Sequence, residues 1–249
     1  MKKVTSAATM AVEATAAART KKAMHNFLAS IEFLNDTTLF DKALHFASKE
    51  RQQRALAYTH QSGRARSLGA ALLLDEALRR TFSHIPLPAE IIRNKYSAPS
   101  IKNEPSVYIS ISHAGNYAAT AVSTLPIGVD VETIRKCREG ICKKCLAKDE
   151  LELVLVQKTK EDADLAFTRL WTRKESYIKA IGKGLAQPLA QFSALNDEII
   201  MEEKRTNFFC RTYLPKTDCI VSVCSEKDAD FPQEISIVDL QASLEASAS

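Results

Sequence analysis

No apolar run in this chain approaches the roughly 18 residues that a membrane-spanning helix needs, which argues against an integral membrane protein. A strong charge of one sign is missing too: 34 basic residues against 30 acidic ones leave a net charge of +4. That excess is too small to argue for a nucleic-acid partner. A mixed solvated surface accounts for it, with room for a local basic cluster that serves a phosphorylated small molecule. Six cysteines are present, and Cys142-Lys-Lys-Cys145, with Cys137 close by, has the spacing of half a zinc site. No second pair stands at the right spacing, so reduced thiols fit better than metal or redox chemistry. A secretory signal is also absent, because Glu13 interrupts what would be its apolar core. Residues 1–23 read as a loose extension, or as a transit peptide, being basic, rich in Ala and Thr and poor in acid. The expected location is cytoplasmic, or organellar if the leader is a transit peptide.

What remains is an ordinary globular composition, 45% apolar and 26% charged over 249 residues, enough for one large domain or two small ones. The pattern from Phe27 to Arg80 is helical, and Leu68, Leu72, Leu73, Leu74 and Leu78 give Arg64–Arg80 a broad apolar face. Thr81–Pro105 holds four of the eight prolines and reads mostly as loop. Strands follow at Val107–Ser112, Tyr117–Val122 and Ile127–Glu132, joined by four-residue turns that suggest an antiparallel meander. Helical pattern returns from Lys148 to Ile181, with Phe167, Leu170, Trp171, Ile178 and Ile181 on one side and Gly182 and Gly184 ending it. Further strands are expected at Phe208–Leu214, Cys219–Cys224 and Ile235–Leu240. The order predicts an α+β protein of two similar halves, each an antiparallel-rich sheet with packed helices. The predicted divisions are 1–23 extension, 24–125, 126–243 and a frayed tail at 244–249.

The chemistry concentrates in three short stretches. In Ile127-Gly-Val-Asp-Val-Glu132 alternation sends Ile127, Val129 and Val131 to the core and puts Gly128, Asp130 and Glu132 on the opposite face. The two carboxylates are then about 7 Å apart at the backbone, close enough to share one ion, and Gly128 leaves space beside them. Hard oxygen ligands with open positions suit Mg²⁺; an exposed strand face with two solvated acids is the alternative. Glu175 and Lys179 stand four apart on one helix face, either as a surface ion pair or as a third acid and a cation at a metal–phosphate site. Trp171 reads as core. Ser112 and His113 end a strand at a tight turn where donors can converge on a phosphate.

Taken together, Ser112-His113, Gly128-Val-Asp130-Val-Glu132, Trp171-Thr-Arg-Lys-Glu175-Ser-Tyr-Ile-Lys179 and Gly182-Lys-Gly-Leu185 resemble the Sfp-type 4′-phosphopantetheinyl transferases. The resemblance spans roughly residues 27 to 240. It implies transfer of phosphopantetheine from coenzyme A to a serine of an acyl or peptidyl carrier protein, as a holo-[acyl-carrier-protein] synthase does, by a monomer. Asp130, Glu132 and Glu175 match the magnesium ligands. Glu175 also matches the residue that takes the serine proton, directly or through water, and Lys179 the lysine that stabilises the transferring phosphate. Lys174 is expected beside the pyrophosphate, Ser112 and His113 on coenzyme A phosphates, and Arg51, Arg54 and Arg66 around the 3′-phosphate. Tyr96-Ser-Ala-Pro99 departs from the family's Gly-Lys-Pro, leaving Ala98 in place of a basic residue, with Lys95 or Lys102 as stand-ins. The Lys-rich segment Arg135–Leu153, with Ile141 and Leu146, is the expected carrier-docking face. A metal-dependent nucleotide pyrophosphatase would use the same acids with water as acceptor, and a non-catalytic binder of coenzyme A or a carrier domain would keep the fold alone.

Overall fold

The structure, a computed structural model, describes residues 24–215, 218–226 and 229–247. The expected N-terminal extension lies outside these residues. Among the described residues eleven strands form two main sheets and one small hairpin.

The first sheet has the order β11-β1-β5-β4. Strand β1 is Met24–Ser30, β4 Tyr108–Ala114, β5 Tyr117–Ser123 and β11 Ser236–Val238. The neighbours β1/β5 and β5/β4 are antiparallel, and β11 joins β1 in parallel. Strand β1 corrects the helical expectation from Phe27 onward. Phe27 and Ala29 enter the core beneath the helices, while Met24 and Leu28 pack toward the second sheet. A strand buried on both faces shows no alternation to read. Helices α1 (Thr37–Leu44), α2 (Lys49–Leu56) and α3 (Gln61–Thr81) lie with this sheet. The buried Leu68, Leu72, Leu73, Leu74 and Leu78 of α3 are part of that core.

The second sheet has the order β6-β10-β9-β8-β7 and is antiparallel throughout. Its strands are β6 (Ile127–Thr133), β7 (Phe192–Ser193), β8 (Glu198–Met201), β9 (Lys204–Tyr213) and β10 (Cys219–Glu226). The expected meander is therefore broken: β4 and β5 form a hairpin, but β6 leaves to pair with β10, for example Asp130 opposite Ser222. Two short helices, α4 (Glu139–Cys145) and α5 (Lys148–Leu155), precede α6 (Lys160–Ala180). Helix α6 starts where Thr159 Oγ1 accepts from Asp162 N and stops at Gly182, whose φ of +63° is left-handed.

Thr81–Pro105 is not all loop, since β2 (Ile91–Arg93) and β3 (Pro99–Ile101) pair as a small hairpin. Nor does the chain end frayed at 244. Helix α7 (Leu240–Ser247) continues past β11, with Leu240 buried and Leu244 against the first core. Strand β11 and Leu240 thus belong with the first sheet, so the segment 126–243 does not pack as one contiguous half. The cysteines of the described residues are all free thiols. No helix among the described residues is long and apolar enough to cross a membrane.

Candidate active site

The edge strands β4 and β6 of the two sheets face each other without backbone pairing, and serines of β4 span the gap. Ser110 Oγ accepts from Val129 N at 3.0 Å, and Ser112 Oγ donates to Asp130 Oδ1 at 2.7 Å. Helix α6 closes the site from the other side. A Cβ on Gly128 would stand 1.9 Å from Ser176 O and 2.5 Å from Ala180 N. The expected open space beside the carboxylates is therefore filled by helix backbone, and glycine is what lets α6 approach. Asp130 is consequently buried rather than solvated.

The approach delivers Lys179 onto β6. Its Nζ donates to Asp130 Oδ1 at 2.7 Å, Ser112 Oγ at 2.9 Å and Val129 O at 3.0 Å, which uses all three ammonium protons. Lys179 thus pairs with Asp130 across the seam, not with Glu175 one turn away. Asp130 Oδ2 is buried and has no hydrogen-bond partner. Glu132 is turned toward Trp171 Nε1 (3.2 Å) and Arg135 Nε (3.0 Å), and the Arg135 guanidinium lies 5.1 Å from the Trp171 ring centroid. Trp171, expected in the core, is half-buried: it packs against the cluster of Cys142, Leu146, Phe167 and Leu170 while its Nε1 reaches Glu132. Burial first, and then the Asp130 charge, push Glu132 up to about 7. The same causes in the same order raise Glu175. Two carboxylates raised in this way beside the Asp130 charge mark an acidic site where a cation would be welcome.

A cleft of about 290 Å³ opens on this cluster, lined by Glu175, Lys179, Ala98, Arg93, Ile111 and Gly182 among others. A second cavity of about 90 Å³ adjoins it through Arg93 and Ile111 and is lined by Glu50, Arg51, Arg54, Ser67 and His113. Burial is the largest cause lowering the His113 pKa, followed among the lowering causes by Lys179 and Arg66, so its ring is neutral near pH 7. A row of phosphates could lie along these joined cavities, with cations at one end and carboxylates at the other.

The expected site residues divide accordingly. Asp130, Glu132, Glu175, Lys179 and Ser112 come together, and Arg54 and His113 line the adjoining cavity. Ser112, however, is spent behind Asp130, where burial leaves it no face for a phosphate. Arg51 lines the cavity but is already committed to Asp75 Oδ2 at 2.7 Å and to the carbonyls of Ala71 and Ala89. Arg66 is half-buried near His113 and does not line either cavity. Lys174 departs entirely. It is fully buried on the far side of α6, paired with Glu150 Oε2 at 2.7 Å and donating to Leu189 O and Phe192 O. Successive helix positions point about 100° apart, so Lys174 cannot share the face of Glu175. Leu146 likewise faces inward, while Ile141 is exposed. Neither stand-in for Ala98 reaches the cleft lining: Lys102 pairs with Glu90 at 2.7 Å, and Lys95 lies over the Tyr96 ring. Sequence reading missed Arg93, because a three-residue strand offers too few positions for a period to register.

Among the described residues no group of three His, Cys, Asp or Glu is already gathered closely enough to hold a metal. The donor set nonetheless fits a hard divalent cation: oxygens only, one of them buried and unpaired, with the Glu132 and Glu175 carboxyls raised by burial and then by the Asp130 charge.

A mixed α/β protein with an acidic cleft at the seam of two sheets and a basic cavity beside it is thus defined. Residues 126–231 match the family model of the 4′-phosphopantetheinyl transferase superfamily. The chain is 29% identical to the 4′-phosphopantetheinyl transferase ffp of Bacillus subtilis over 209 residues, 82% of this chain and 92% of that protein. The similarity to Sfp of Bacillus subtilis strain 168 is 27% over 206 residues, 81% of this chain and 91% of that one. The gsp transferase of Aneurinibacillus migulanus is 33% identical over 148 residues, 58% of this chain and 60% of that one.

Proposed function

We propose that this protein transfers the 4′-phosphopantetheine group of coenzyme A to a serine hydroxyl of a carrier protein, releasing 3′,5′-ADP. The observation that carries this reading is the buried Asp130 carboxylate, held on Oδ1 by Lys179 and Ser112 and left unpaired on Oδ2, behind a cleft of about 290 Å³ lined by Lys179 and Glu175. Asp130, Glu132 and Glu175 would hold Mg²⁺, which when bound neutralises charge on the diphosphate.

The chain's own residues have separable tasks. Ser112 and Lys179 fix the Asp130 carboxylate, and the Lys179 ammonium keeps positive charge on the cleft wall. Arg54 and His113 hold the nucleotide end in the adjoining cavity. Glu175, whose pKa is raised, is placed to accept the serine proton as the serine oxygen bonds to the phosphorus bearing pantetheine. The bond from that phosphorus to the bridging oxygen breaks, and the electron pair leaves with 3′,5′-ADP. A basic outer face at Arg135, Lys136, Arg138 and exposed Ile141 would receive an acidic carrier domain. The protein acts as a cytoplasmic monomer, a location its free thiols favour.

The test is incubation with coenzyme A, Mg²⁺ and a panel of apo carrier proteins, read by intact mass. One added phosphopantetheine on a carrier is expected. Free phosphopantetheine with unmodified carriers would replace this reading with hydrolysis.

A further inference from the structure

Spacing along the chain singles out Cys142 and Cys145, but the fold brings Cys142 against Cys137 instead. Helix α4 begins at Glu139, after Arg138, whose side chain makes no capping hydrogen bond. Cys137 therefore precedes the cap and Cys142 closes the first turn, the two positions whose side chains meet across a helix start. Cys142 is buried in a cluster with Leu146, Phe167 and Leu170, and half-buried Cys137 packs against that cluster. The two thiols are hydrogen-bonded to each other. Cys145 is the poorer partner for Cys142. Three positions apart on one helix, their Cβ atoms stand about 5–6 Å apart, beyond the roughly 3.5–4.5 Å that a disulfide spans.

The two sulfurs are unequally placed. Cys142 is fully buried, whereas Cys137 lies on the segment between β6 and α4 and is partly open to solvent. Burial, and then the contact with Cys137, push the Cys142 thiol up to about 12, so Cys137 is the member that meets an oxidant first. The segment carrying Cys137 is fastened to α6: Arg135 N donates to Thr168 Oγ1 at 2.9 Å and Cys137 N to Asp164 Oδ1 at 2.6 Å. The first turn of α4 lacks a side-chain cap and is the freer of the two. A bond between the sulfurs therefore draws α4 toward the segment, and exposed Ile141, next to Cys142, moves with it.

We propose that Cys137 and Cys142 are a redox modification site: they form a reversible disulfide by exchange with a small-molecule disulfide of the glutathione class, and this displaces the outer face of α4. The Cys137 thiolate attacks one sulfur of oxidised glutathione, and the other leaves as glutathione thiolate. The Cys142 thiol, losing its proton, then attacks the Cys137 sulfur of the mixed disulfide and expels the second glutathione. Two electrons pass from the protein thiols to the S–S bond of the oxidant, and the two protons end on two glutathione thiols. In a glutathione-buffered compartment the reduced pair is the resting state, so the pair responds when that buffer turns oxidising. The effect on carrier docking rests on the transfer reading above; the disulfide itself does not.

The test equilibrates the full chain with mixtures of reduced and oxidised glutathione, alkylates the free thiols and maps tryptic peptides by mass. Trypsin cuts after Lys136, Arg138, Lys143 and Lys144, so Cys137, Cys142 and Cys145 fall in separate peptides. Oxidation should join Cys137-Arg138 to Glu139–Lys143, with a loss of about 2 Da from the intact mass. Cys145→Ser should keep that link, and Cys137→Ser, at a half-buried position, should abolish it. In transfer assays the oxidised wild type should show a carrier KM raised roughly threefold or more with kcat within about twofold, reversed by dithiothreitol and absent from Cys137→Ser. A link to Cys145, a mixed disulfide that stops at Cys137, or thiols that stay free in excess oxidised glutathione would overturn the pairing. A disulfide that leaves the carrier KM unchanged would overturn the displacement of α4. A reduced wild type that modifies no carrier would overturn the transfer reading, while the peptide masses would still decide the disulfide.

Discussion

At the scale of single residues, adjacent positions on one helix do unlike work. Glu175 faces the cleft, while its neighbour Lys174 is fully buried against Glu150. Burial lowers the Lys174 pKa and raises that of Glu150, with the pair's mutual attraction opposing both shifts. Removing one partner leaves an uncompensated charge in the core, so Glu150→Ala should cost about 3–5 kcal/mol. The paired change Glu150→Leu with Lys174→Met removes both charges and should recover most of that stability. Chemical denaturation of the three variants, followed by transfer rates, checks the point. A double variant that folds normally but has lost kcat would return Lys174 to the chemistry. Asp130→Ala is the opposite case. It should abolish transfer, by at least roughly 10³-fold as for loss of a main electrostatic group, yet leave a folded protein because Lys179 can still donate to Ser112 Oγ and Val129 O. Near-normal transfer by Asp130→Ala would remove the cluster from the mechanism.

Between elements, the decisive contact is the approach of α6 to β6 at Gly128. Gly128→Ala places a methyl 1.9 Å from a helix carbonyl oxygen, which has no room to yield. Overpacking of this kind costs about 1–3 kcal/mol or more, and relief must come by moving α6. Glu175 and Lys179 would move with it, so activity should fall further than stability. Fold loss and kcat loss measured together test this; a variant with wild-type kcat would show that α6 need not sit so close. The same contact marks where sequence reading ran short. The order Gly128, Asp130, Glu132 on one face was legible, because strand alternation depends on backbone geometry alone. That the face is covered by α6 was not, since a glycine says nothing of what fills its space. Likewise β1 was unreadable because both its faces are buried, and β6 looked like the third strand of a meander because turn length does not encode which sheet receives the next strand. Residues grouped by local spacing came together in space. Arg51 and Ser112 were identified by position, but their partners, Asp75 and Asp130, come from other elements and set what they are free to do.

For the molecule as a whole, the two sheets meet edge to edge with an anionic cluster at the join, and folding gathers that charge. Glu132 titrates near 7 in the folded protein against an ordinary value of 4.5. The folded state therefore holds a proton that the unfolded chain has released between those values, and stability falls as pH rises through the window. From Glu132 alone this is on the order of 3 kcal/mol as an upper bound. Glu175 shifts in the same direction, whereas His25 and His113, lowered mainly by burial, oppose the trend. The clean measurement is therefore the difference between wild type and Glu132→Gln, which cannot ionise. In chelator, wild type should lose several degrees of Tm relative to Glu132→Gln between pH 5 and pH 8. Saturating Mg²⁺ should shrink that gap at pH 8, where the carboxylates are free to bind it, and have little effect at pH 5, where protons compete. A gap that ignores pH would mean that Glu132 is not held protonated by its neighbours. A gap that ignores Mg²⁺ at pH 8 would mean that these carboxylates gather for some purpose other than a cation.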